Sequence, residues 1–272
     1  MSNRTNPNYL KNYQYYDSQN LNARINLHRR FSTNNQDWFR WVFDQFALPT
    51  PAQILELGCG SGLLWKMNLD RIPVGYQVYL SDFSSGMIFQ ACSNTGTATG
   101  SFFYSVLDAQ SIPYPAACFD LVIANHMLYH IPNRSGALEE IHRVLKSGGK
   151  LIAATNGINH MGELHQLLLR LDTDLAYHTD HAFGVNEFTI ENGAEQLSPW
   201  FGNIRILPFE GSLEVTEAEP LIAYILSMNT SPQKYVASQQ ISSLLDTINS
   251  EIKRYGSYHI SKSTALFIAE KL

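Results

Sequence analysis

The stretch ILELGCGSG, residues 54–62, combines an apolar run, the carboxylate of Glu56 and three alternating glycines. The run QILEL (53–57) is too short for a helix and is closed by glycine, a pattern typical of a buried parallel strand. The glycines then open a helix through Leu63, Leu64 and Trp65. Glycine-rich turns between a first strand and a first helix let a ligand approach the backbone closely. The stretch therefore predicts a ligand-binding turn.

Further strand patterns follow at residues 76–80, 101–106, 119–124 and 150–155, each separated from the next by a helical or turn pattern. A sixth strand is predicted over 203–211, and a last, antiparallel strand within 257–272. Strands that alternate with helices imply right-handed crossovers and a parallel sheet. The predicted fold is therefore α/β: a Rossmann-like, doubly wound sheet of seven strands, mostly parallel with an antiparallel last strand, in three α/β/α layers.

Polar or glycine positions follow each of the first four predicted strands. These positions are Gly58, Asp82, Asp108 and Asn125. The carboxyl ends of parallel strands meet at one edge of the sheet, where doubly wound proteins bind their ligands. We therefore expect the four positions to lie together at a binding site.

The spacing of the apolar residues divides the chain into an N-terminal helical segment, residues 1–50, and a main domain, residues 51–272. Within the segment, 34–46 has helical spacing that prolines end. Within the main domain, 156–200 interrupts the pattern and is predicted to cap the ligand edge. Helices are predicted over 215–229 and 232–253.

Composition limits the classes of function. The formal net charge of −5 argues against nucleic acid as a partner, because binding a polyanion needs a basic face. Three widely spaced cysteines are typical of reduced thiols rather than of a disulfide framework. The polar N-terminus lacks a signal-like apolar run, and no run approaches a membrane span, so a cytoplasmic protein is expected.

The glycine spacing separates two classes of cofactor. Dinucleotide-binding turns follow G-x-G-x-x-G, whereas this chain has Leu63 where that pattern needs its third glycine. Glu56 would repel a pyrophosphate but would attract a cation. Cys59 lies within the turn, and packing of a small residue explains it better than nucleophilic catalysis. The turn is therefore predicted to face a cationic cofactor rather than a dinucleotide.

Four motifs in order resemble those of the class I S-adenosylmethionine-dependent methyltransferases. They are ELGCGSG (56–62), Asp82 after the second strand, LDA (107–109), and the pair FDLVIANHMLYHIPN (119–133) and RVLKSGGKL (143–151). The resemblance covers about residues 52 to 155. It implies S-adenosylmethionine as cofactor, with the sulfonium portion over the backbone of Gly58, Cys59, Gly60 and Gly62.

The resemblance also implies how the rest of the cofactor is bound. Asp82 would accept hydrogen bonds from the ribose hydroxyls, Asp108 would bind the adenine amino group, and the Ala109 amide would bind an adenine ring nitrogen. Phe83 and Met87 would pack on the nucleoside. Each acid also has a structural interpretation, in which Glu56 is a buried acid, Asp82 caps a helix and Asp108 forms a turn.

In small-molecule members of this family the N-terminal segment folds over the cofactor. Tyr16 and Arg24 are the candidates for this role, and a guanidinium such as that of Arg24 suits the carboxylate of the methionine moiety.

The reaction places few demands on side chains. Methyl transfer from a sulfonium is an in-line displacement that depends on positioning, and a base is needed only if the acceptor must lose a proton. The residues that follow the fourth strand would lie nearest the methyl group. They are Asn125, which is also a candidate cofactor ligand, and the candidate catalytic residues His126, Tyr129 and His130. His126 is the preferred base. The sequence NHML (125–128) lacks the prolines of the nucleobase amino methyltransferases.

No metal is predicted. His126 and His130 have no third ligand at a recognisable spacing, and a packing role in the loop is the alternative for His130. His160, His165, His178 and His181 either line an acceptor pocket or are solvated. HTDH (178–181) could also bind a metal, but solvated histidines are favoured. We therefore predict methyl transfer to an O, N or C atom of a small molecule, with no nucleic acid or membrane partner. The oligomeric state is not predicted. The alternatives are a protein of this fold without catalytic activity, a protein or RNA methyltransferase, and a nicotinamide dehydrogenase.

Overall fold

A computed structural model describes residues 5–16, 19–96, 101–171, 187–228 and 239–272. The strands are β1 (Ala52–Leu57), β2 (Tyr76–Asp82), β3 (Phe102–Val106), β4 (Phe119–Asn125), β5 (Leu145–Asn156), β6 (Gly202–Pro208), β7 (Ser212–Val215), β8 (Tyr258–Ser261) and β9 (Thr264–Glu270). The helices are α1 (Pro7–Tyr9), α2 (Gln19–Phe31), α3 (Trp38–Phe43), α4 (Leu63–Lys66), α5 (Ser85–Thr95), α6 (Arg134–Val144), α7 (Gly162–Leu171), α8 (Ile190–Leu197), α9 (Ala218–Ser227) and α10 (Gln239–Tyr255). A π-helical turn, Leu10–Gln14, continues α1.

Seven strands form one sheet in the order β3-β2-β1-β4-β5-β9-β6. β9 runs antiparallel to both of its neighbours, and the pairings among β1 to β5 are parallel. The predicted Rossmann-like fold with an antiparallel strand near the C-terminus is therefore confirmed. The strand order reverses at β1 and β4, the switch point beside which such sheets bind ligands.

Helices cover both faces of this sheet. On one face, residues such as Ile54 and Ile123 pack with Trp65 of α4 and Ala91 of α5. On the other face, apolar residues of β1, β4 and β5 pack with α6 and α8 through Ile141 and Leu197. Successive side chains along each strand point to opposite faces of the sheet and so contribute to two separate cores, as expected for three layers.

A third apolar core lies apart from the sheet faces and is built from distant parts of the chain. It joins Leu27 of α2, Leu164 of α7, Leu221 of α9, Leu244 of α10 and Ile260 of β8, together with their neighbours. β7 and β8 form a separate antiparallel pair within this unit, which we call the cap cluster. No helix in the described ranges is long and apolar enough to cross a membrane.

The antiparallel last strand predicted within 257–272 is β9, but the same segment also contains β8, which pairs with β7 in a second sheet. The Glu163 carboxylate accepts hydrogen bonds from the backbone and hydroxyl of Ser261, which ends β8 within the cap cluster. The Ser263 amide donates to His160 Nδ1 at 3.1 Å, and β9 then joins the main sheet. Lys262 therefore lies at the corner where the chain changes sheets.

The segment predicted as a cap, 156–200, lies in two places. Helix α7 belongs to the cap cluster, whereas α8 packs on β9 of the main sheet. The predicted N-terminal segment contributes α2 to the cap cluster, where it packs along α9. His178 and His181 lie outside the described residues.

Candidate active site

A cavity of about 640 Å³ lies at the carboxyl ends of β1, β2 and β4. Its floor is the glycine turn after β1, and its roof is made by α2, the π-helical turn and the cap cluster. This volume is typical of small-molecule and cofactor sites. The cavity therefore occupies the edge at which the sequence places the ligand.

Most of the predicted site residues line this cavity. They are Arg24, Glu56, Gly58, Cys59, Gly60, Asp82, Phe83, Asp108, Ala109, Asn125, His126, Tyr129 and His130. Tyr16, Gly62 and Met87 are not among the lining residues. The side chain of Tyr16 is 69% exposed, Met87 is fully buried beneath the site, and Gly62 begins α4 on the far side of the turn.

The glycine turn is explained by its own packing as well as by a ligand. Gly58 has a φ of +66°, and a Cβ there would lie 2.9 Å from Met127 Cβ. Gly62 has a φ of +72°, and its Cβ would lie 3.1 Å from Ala91 Cα in α5. Left-handed backbone strongly favours glycine. The glycines at 58 and 62 are therefore required by the packing of the turn itself, whether or not a ligand approaches it.

Asp82 connects the glycine turn to β2. Its Oδ2 accepts a hydrogen bond from the Gly60 amide at 3.0 Å, and its Oδ1 accepts one from the Ser84 amide at 2.8 Å. Burial raises the pKa of this carboxyl to about 6, although the backbone donors Ser84, Gly60 and Phe83 act in the opposite direction. Ser84, not Asp82, is the side-chain cap of α5, through a bond from the Met87 amide.

Glu56 is almost completely buried, and its Oε2 accepts a hydrogen bond of 2.7 Å from Trp65 Nε1. Burial, with a smaller contribution from the nearby Asp82, raises the pKa of Glu56 to about 8, although the bond from Trp65 acts in the opposite direction. An isolated buried carboxylate is costly, so this acid favours a cation in the adjoining space. Burial also raises the pKa of the Cys59 thiol well above its usual value, which argues against a thiolate nucleophile.

Asp108 and Ala109 form the wall of the cavity after β3. The Asp108 carboxylate accepts hydrogen bonds from the backbone amide of Gln110 at 2.9 Å and from its side-chain amide at 3.0 Å. Asp108 thus forms a turn and lines the cavity at the same time. The two interpretations of this acid are compatible in one structure.

Asn125 and Ser61 each carry a buried side-chain oxygen without a hydrogen-bond partner in the described structure, Asn125 Oδ1 and Ser61 Oγ. Both residues line the cavity. Buried polar atoms are nearly always paired in folded proteins. These two oxygens therefore indicate a ligand with hydrogen-bond donors next to the glycine turn.

His126 has a φ of +53°, a left-handed conformation that is uncommon for residues other than glycine. Its amide donates to the Ala154 carbonyl at 3.0 Å, which fixes the turn after β4. Its ring lies 5.4 Å from the Trp38 ring, centroid to centroid. Burial lowers the pKa of His126 to about 4, so the ring is neutral at pH 7.

Tyr15, rather than Tyr16, connects the N-terminal segment to the site. Its hydroxyl lies 3.1 Å from His130 Nε2, and its carbonyl accepts a hydrogen bond from Ser84 Oγ at 2.7 Å. Arg24 also approaches this hydroxyl and donates to the Ser227 carbonyl at 2.8 Å. The sequence does not distinguish the two adjacent tyrosines, because a turn at the end of the π-helical segment determines which of them faces inward.

A second group of residues that line the cavity is aromatic and basic, and we call the space beside it the chamber. The group contains Trp38 and Phe209, whose ring centroids are 5.1 Å apart, together with His28, His160 and Lys262. The sequence singles out His160 as a possible pocket residue. Lys262 lies within a predicted strand and gives no such signal.

The described residues fit S-adenosylmethionine. The turn presents bare backbone, the carboxylates of Asp82 and Asp108 line the same cavity, and Asn125 and Ser61, which carry the unpaired oxygens, are among its lining residues. Among the described residues, no group of three histidine, cysteine or acidic side chains is placed to hold a metal ion.

Comparisons with known proteins place the chain among methyltransferases. Residues 55–153 match the family model described as Methyltransferase domain. The chain is 28% identical over 205 residues to a ubiquinone/menaquinone biosynthesis C-methyltransferase of Methylococcus capsulatus, covering 73% of this chain and 75% of that protein. It is 31% identical over 159 residues to a malonyl-[acyl-carrier protein] O-methyltransferase of Pseudescherichia vulneris, covering 58% and 57%.

The chain spans about half the length of several other curated relatives that it matches. Among solved structures, a Haemonchus contortus phosphoethanolamine N-methyltransferase 2 in complex with S-adenosyl-L-methionine superposes with a TM-score of 0.59 at 18% identity, covering 97% of this chain and 59% of that one. At this identity the likeness concerns the fold.

The sheet order, the glycine turn and the strand-end acids define a nucleoside-binding domain of the Rossmann-like class. Residues 55–153 are a methyltransferase domain, and the chain is similar to class I S-adenosylmethionine-dependent methyltransferases. The recognition made from the motifs, and S-adenosylmethionine as the cofactor, are confirmed.

The two raised pKa values predict how cofactor binding depends on pH. Ribose hydroxyls and a sulfonium favour the ionised acids, whereas burial favours the protonated acids in the free site. Affinity for S-adenosylmethionine should therefore rise with pH through about 6 and further toward about 8. S-adenosylhomocysteine lacks the sulfonium charge, so its affinity should depend less on the ionisation of Glu56.

Calorimetric titrations between about pH 5 and pH 8, in two buffers of different ionisation enthalpy, measure both the affinity and the protons released. Proton release on binding below pH 7 is the expected result. An affinity that falls as pH rises would contradict the assignment of these acids to the cofactor.

Proposed function

We propose that this protein transfers a methyl group from S-adenosylmethionine to a small-molecule acceptor. The observation that carries the proposal is that one cavity joins the glycine turn and the strand-end acids to an aromatic chamber. A cofactor bound over the turn would leave that chamber for the acceptor. A cavity of about 640 Å³ that holds both favours a compact acceptor over a polymer.

Individual residues have distinct proposed roles in binding the cofactor. Asp82 binds the ribose hydroxyls, Asp108 the adenine amino group, and the Ala109 amide an adenine ring nitrogen. Glu56 and Asn125 lie beside the cationic portion, with Gly58, Cys59 and Gly60 as the floor. Gly62 supports this floor from behind, where it packs against α5. Phe83 contacts the nucleoside directly, and Met87 supports it from below.

We propose that the N-terminal segment, residues 1–50, acts as a lid over the cofactor. Gln14 Nε2 donates to the Ser227 carbonyl at 3.2 Å, and Arg24 binds the same carbonyl, so the lid is anchored on α9. Tyr15 anchors it on the opposite side, at His130. Arg24 remains the candidate for the methionine carboxylate, because its guanidinium has no carboxylate partner among the described residues.

When bound, S-adenosylmethionine would supply an electrophilic methyl group for the acceptor's electron pair. The chain's contribution is chiefly alignment and exclusion of water, which account for a large part of such rate enhancements. His126, Tyr129 and His130 lie along the path of the acceptor after β4. His126 is available as a neutral hydrogen-bond acceptor, and its low pKa makes it a weak base.

Calorimetric titration with S-adenosylmethionine, S-adenosylhomocysteine and NAD tests the cofactor assignment. Binding of the first two, without binding of NAD, is expected. Radiolabelled methyl transfer to a panel of small phenols, carboxylic acids and amines then tests catalysis. Binding of NAD alone, or transfer only to protein or RNA, would contradict the proposal.

A further inference from the structure

Lys262 is a cation that lines the chamber. It occupies the corner between β8 and β9, and its Nζ lies 5.2 Å from the centroid of the Phe209 ring. The same Nζ lies 3.5 Å from Ser32 Oγ, a long and weak contact. Burial lowers the pKa of this ammonium.

The counter-charge for Lys262 does not come from the described protein. No carboxylate in the described ranges lies within salt-bridge distance of it. Of the acids that line the cavity, Glu56, Asp82 and Asp108 are at the cofactor end, and Asp37 accepts hydrogen bonds from two amides at the start of α3. A partly buried ammonium without an anion favours an anionic ligand.

Two histidines place neutral donors beside this cation. His160 Nδ1 accepts a hydrogen bond from the Ser263 amide, so the neutral ring carries its proton on Nε2. The His28 ring stacks on His160, with centroids 6.1 Å apart. Burial, with smaller contributions from neighbouring His126 and Lys262, lowers the pKa of His160 to about 3. The chamber thus combines the positive charge of Lys262 with hydrogen-bond donors.

Aromatic rings form the wall next to these groups. Trp38 contacts both His126, at 5.4 Å between ring centroids, and Phe209, at 5.1 Å. Flat apolar surfaces favour a planar ring, which stacks or packs edge-on against them.

We propose that the acceptor is a planar aromatic acid that binds as its anion. Its ionised oxygen pairs with Lys262 and accepts a hydrogen bond from His160, and its ring packs against Trp38 and Phe209. This inference rests on the proposed function, since it names the acceptor class of the same site. Because this oxygen is already ionised when the acceptor binds, His126 does not need to remove a proton from it.

Matched pairs of probes that differ in charge test the proposal. Benzoate and benzamide form one pair, and 4-nitrophenolate and 4-nitroaniline form the other. Each is titrated calorimetrically into the full chain, with and without saturating S-adenosylhomocysteine. The anion of each pair should bind about tenfold to a hundredfold more tightly than its neutral partner, because a charge-assisted bond is replaced by a neutral one.

Variants assign this preference to Lys262. Lys262→Met should remove the preference for anions, whereas Lys262→Arg should retain it. Retention in Lys262→Arg would exclude a merely structural effect of the substitution. Lys66→Met changes an exposed lysine outside the cavity and should leave the preference unchanged. Affinity for S-adenosylhomocysteine should stay within about threefold in all three variants.

Several outcomes would overturn the inference. They are equal binding of the charged and neutral probes, failure of both anions to bind at about 5 mM, and a preference that survives in Lys262→Met. A loss of S-adenosylhomocysteine affinity in Lys262→Met would place this lysine at the cofactor instead. Failure of the unchanged protein to bind S-adenosylhomocysteine would count against the proposed function alone, because the anion preference is also measured without it.

Discussion

Asp82→Ala should weaken binding of S-adenosylhomocysteine by about a hundredfold. The carboxylate is proposed to accept two hydrogen bonds from the ribose, and a bond to a charged group contributes about 1.5 to 3 kcal/mol. It also positions the Gly60 amide in the turn. Calorimetric titration measures the affinity, and thermal unfolding of the ligand-free protein measures the effect on stability.

The same change should have little effect on the stability of the ligand-free protein. Burial already disfavours the Asp82 charge, so its removal offsets the loss of two backbone hydrogen bonds. Asp120→Ala is the matched control, since Asp120 also accepts a backbone amide, from Gln53 at 2.8 Å, but does not line the cavity. It should lower stability and leave affinity unchanged. Normal binding with a much lower melting temperature for Asp82→Ala would show that this acid only organises the turn before α5.

Gly62→Ala should destabilise the fold by about 2 to 4 kcal/mol. Its left-handed backbone disfavours any side chain, and the added Cβ would meet the backbone of α5 at Ala91. Chemical denaturation measures the free energy of unfolding. Gly60→Ala is the matched comparison, because its Cβ would meet only the flexible tip of Leu21, at 3.1 Å.

The two glycine variants should therefore separate stability from binding. Gly60→Ala should cost about 1 to 2 kcal/mol of stability and weaken S-adenosylhomocysteine binding more strongly than Gly62→Ala does, because Gly60 lines the cavity. Equal stability losses in the two variants would contradict the packing role given to Gly62. An unchanged affinity in Gly60→Ala would contradict the placement of the cofactor over the turn.

The sheet and its ligand edge could be predicted from the sequence because they depend on local patterns. Short apolar runs define β1 and β4, and parallel topology alone brings Gly58, Asp82 and Asn125 to one edge. Asp82 also ends β2 and Asp108 follows β3, the next strand along the chain, as the sequence predicts. The cofactor end of the site is therefore largely encoded in residues 52 to 155.

The acceptor end could not be predicted in the same way, because tertiary packing assembles it. Leu27, Leu164, Leu221 and Ile260 meet in one core although they are far apart in sequence, and no periodicity reports such a meeting. Lys262 faces the chamber only because β8 and β9 belong to different sheets. The choice of Tyr15 over Tyr16 likewise depends on a single turn.

The most direct test of the central claim is a crystal structure of the protein with S-adenosylhomocysteine bound. We expect the ribose hydroxyls within hydrogen-bond distance of Asp82, the adenine amino group at Asp108, and the sulfur beside the glycine turn, facing the chamber of Trp38 and Lys262. A nucleoside bound anywhere else, or an edge closed by side chains at Gly58 and Gly60, would contradict the account.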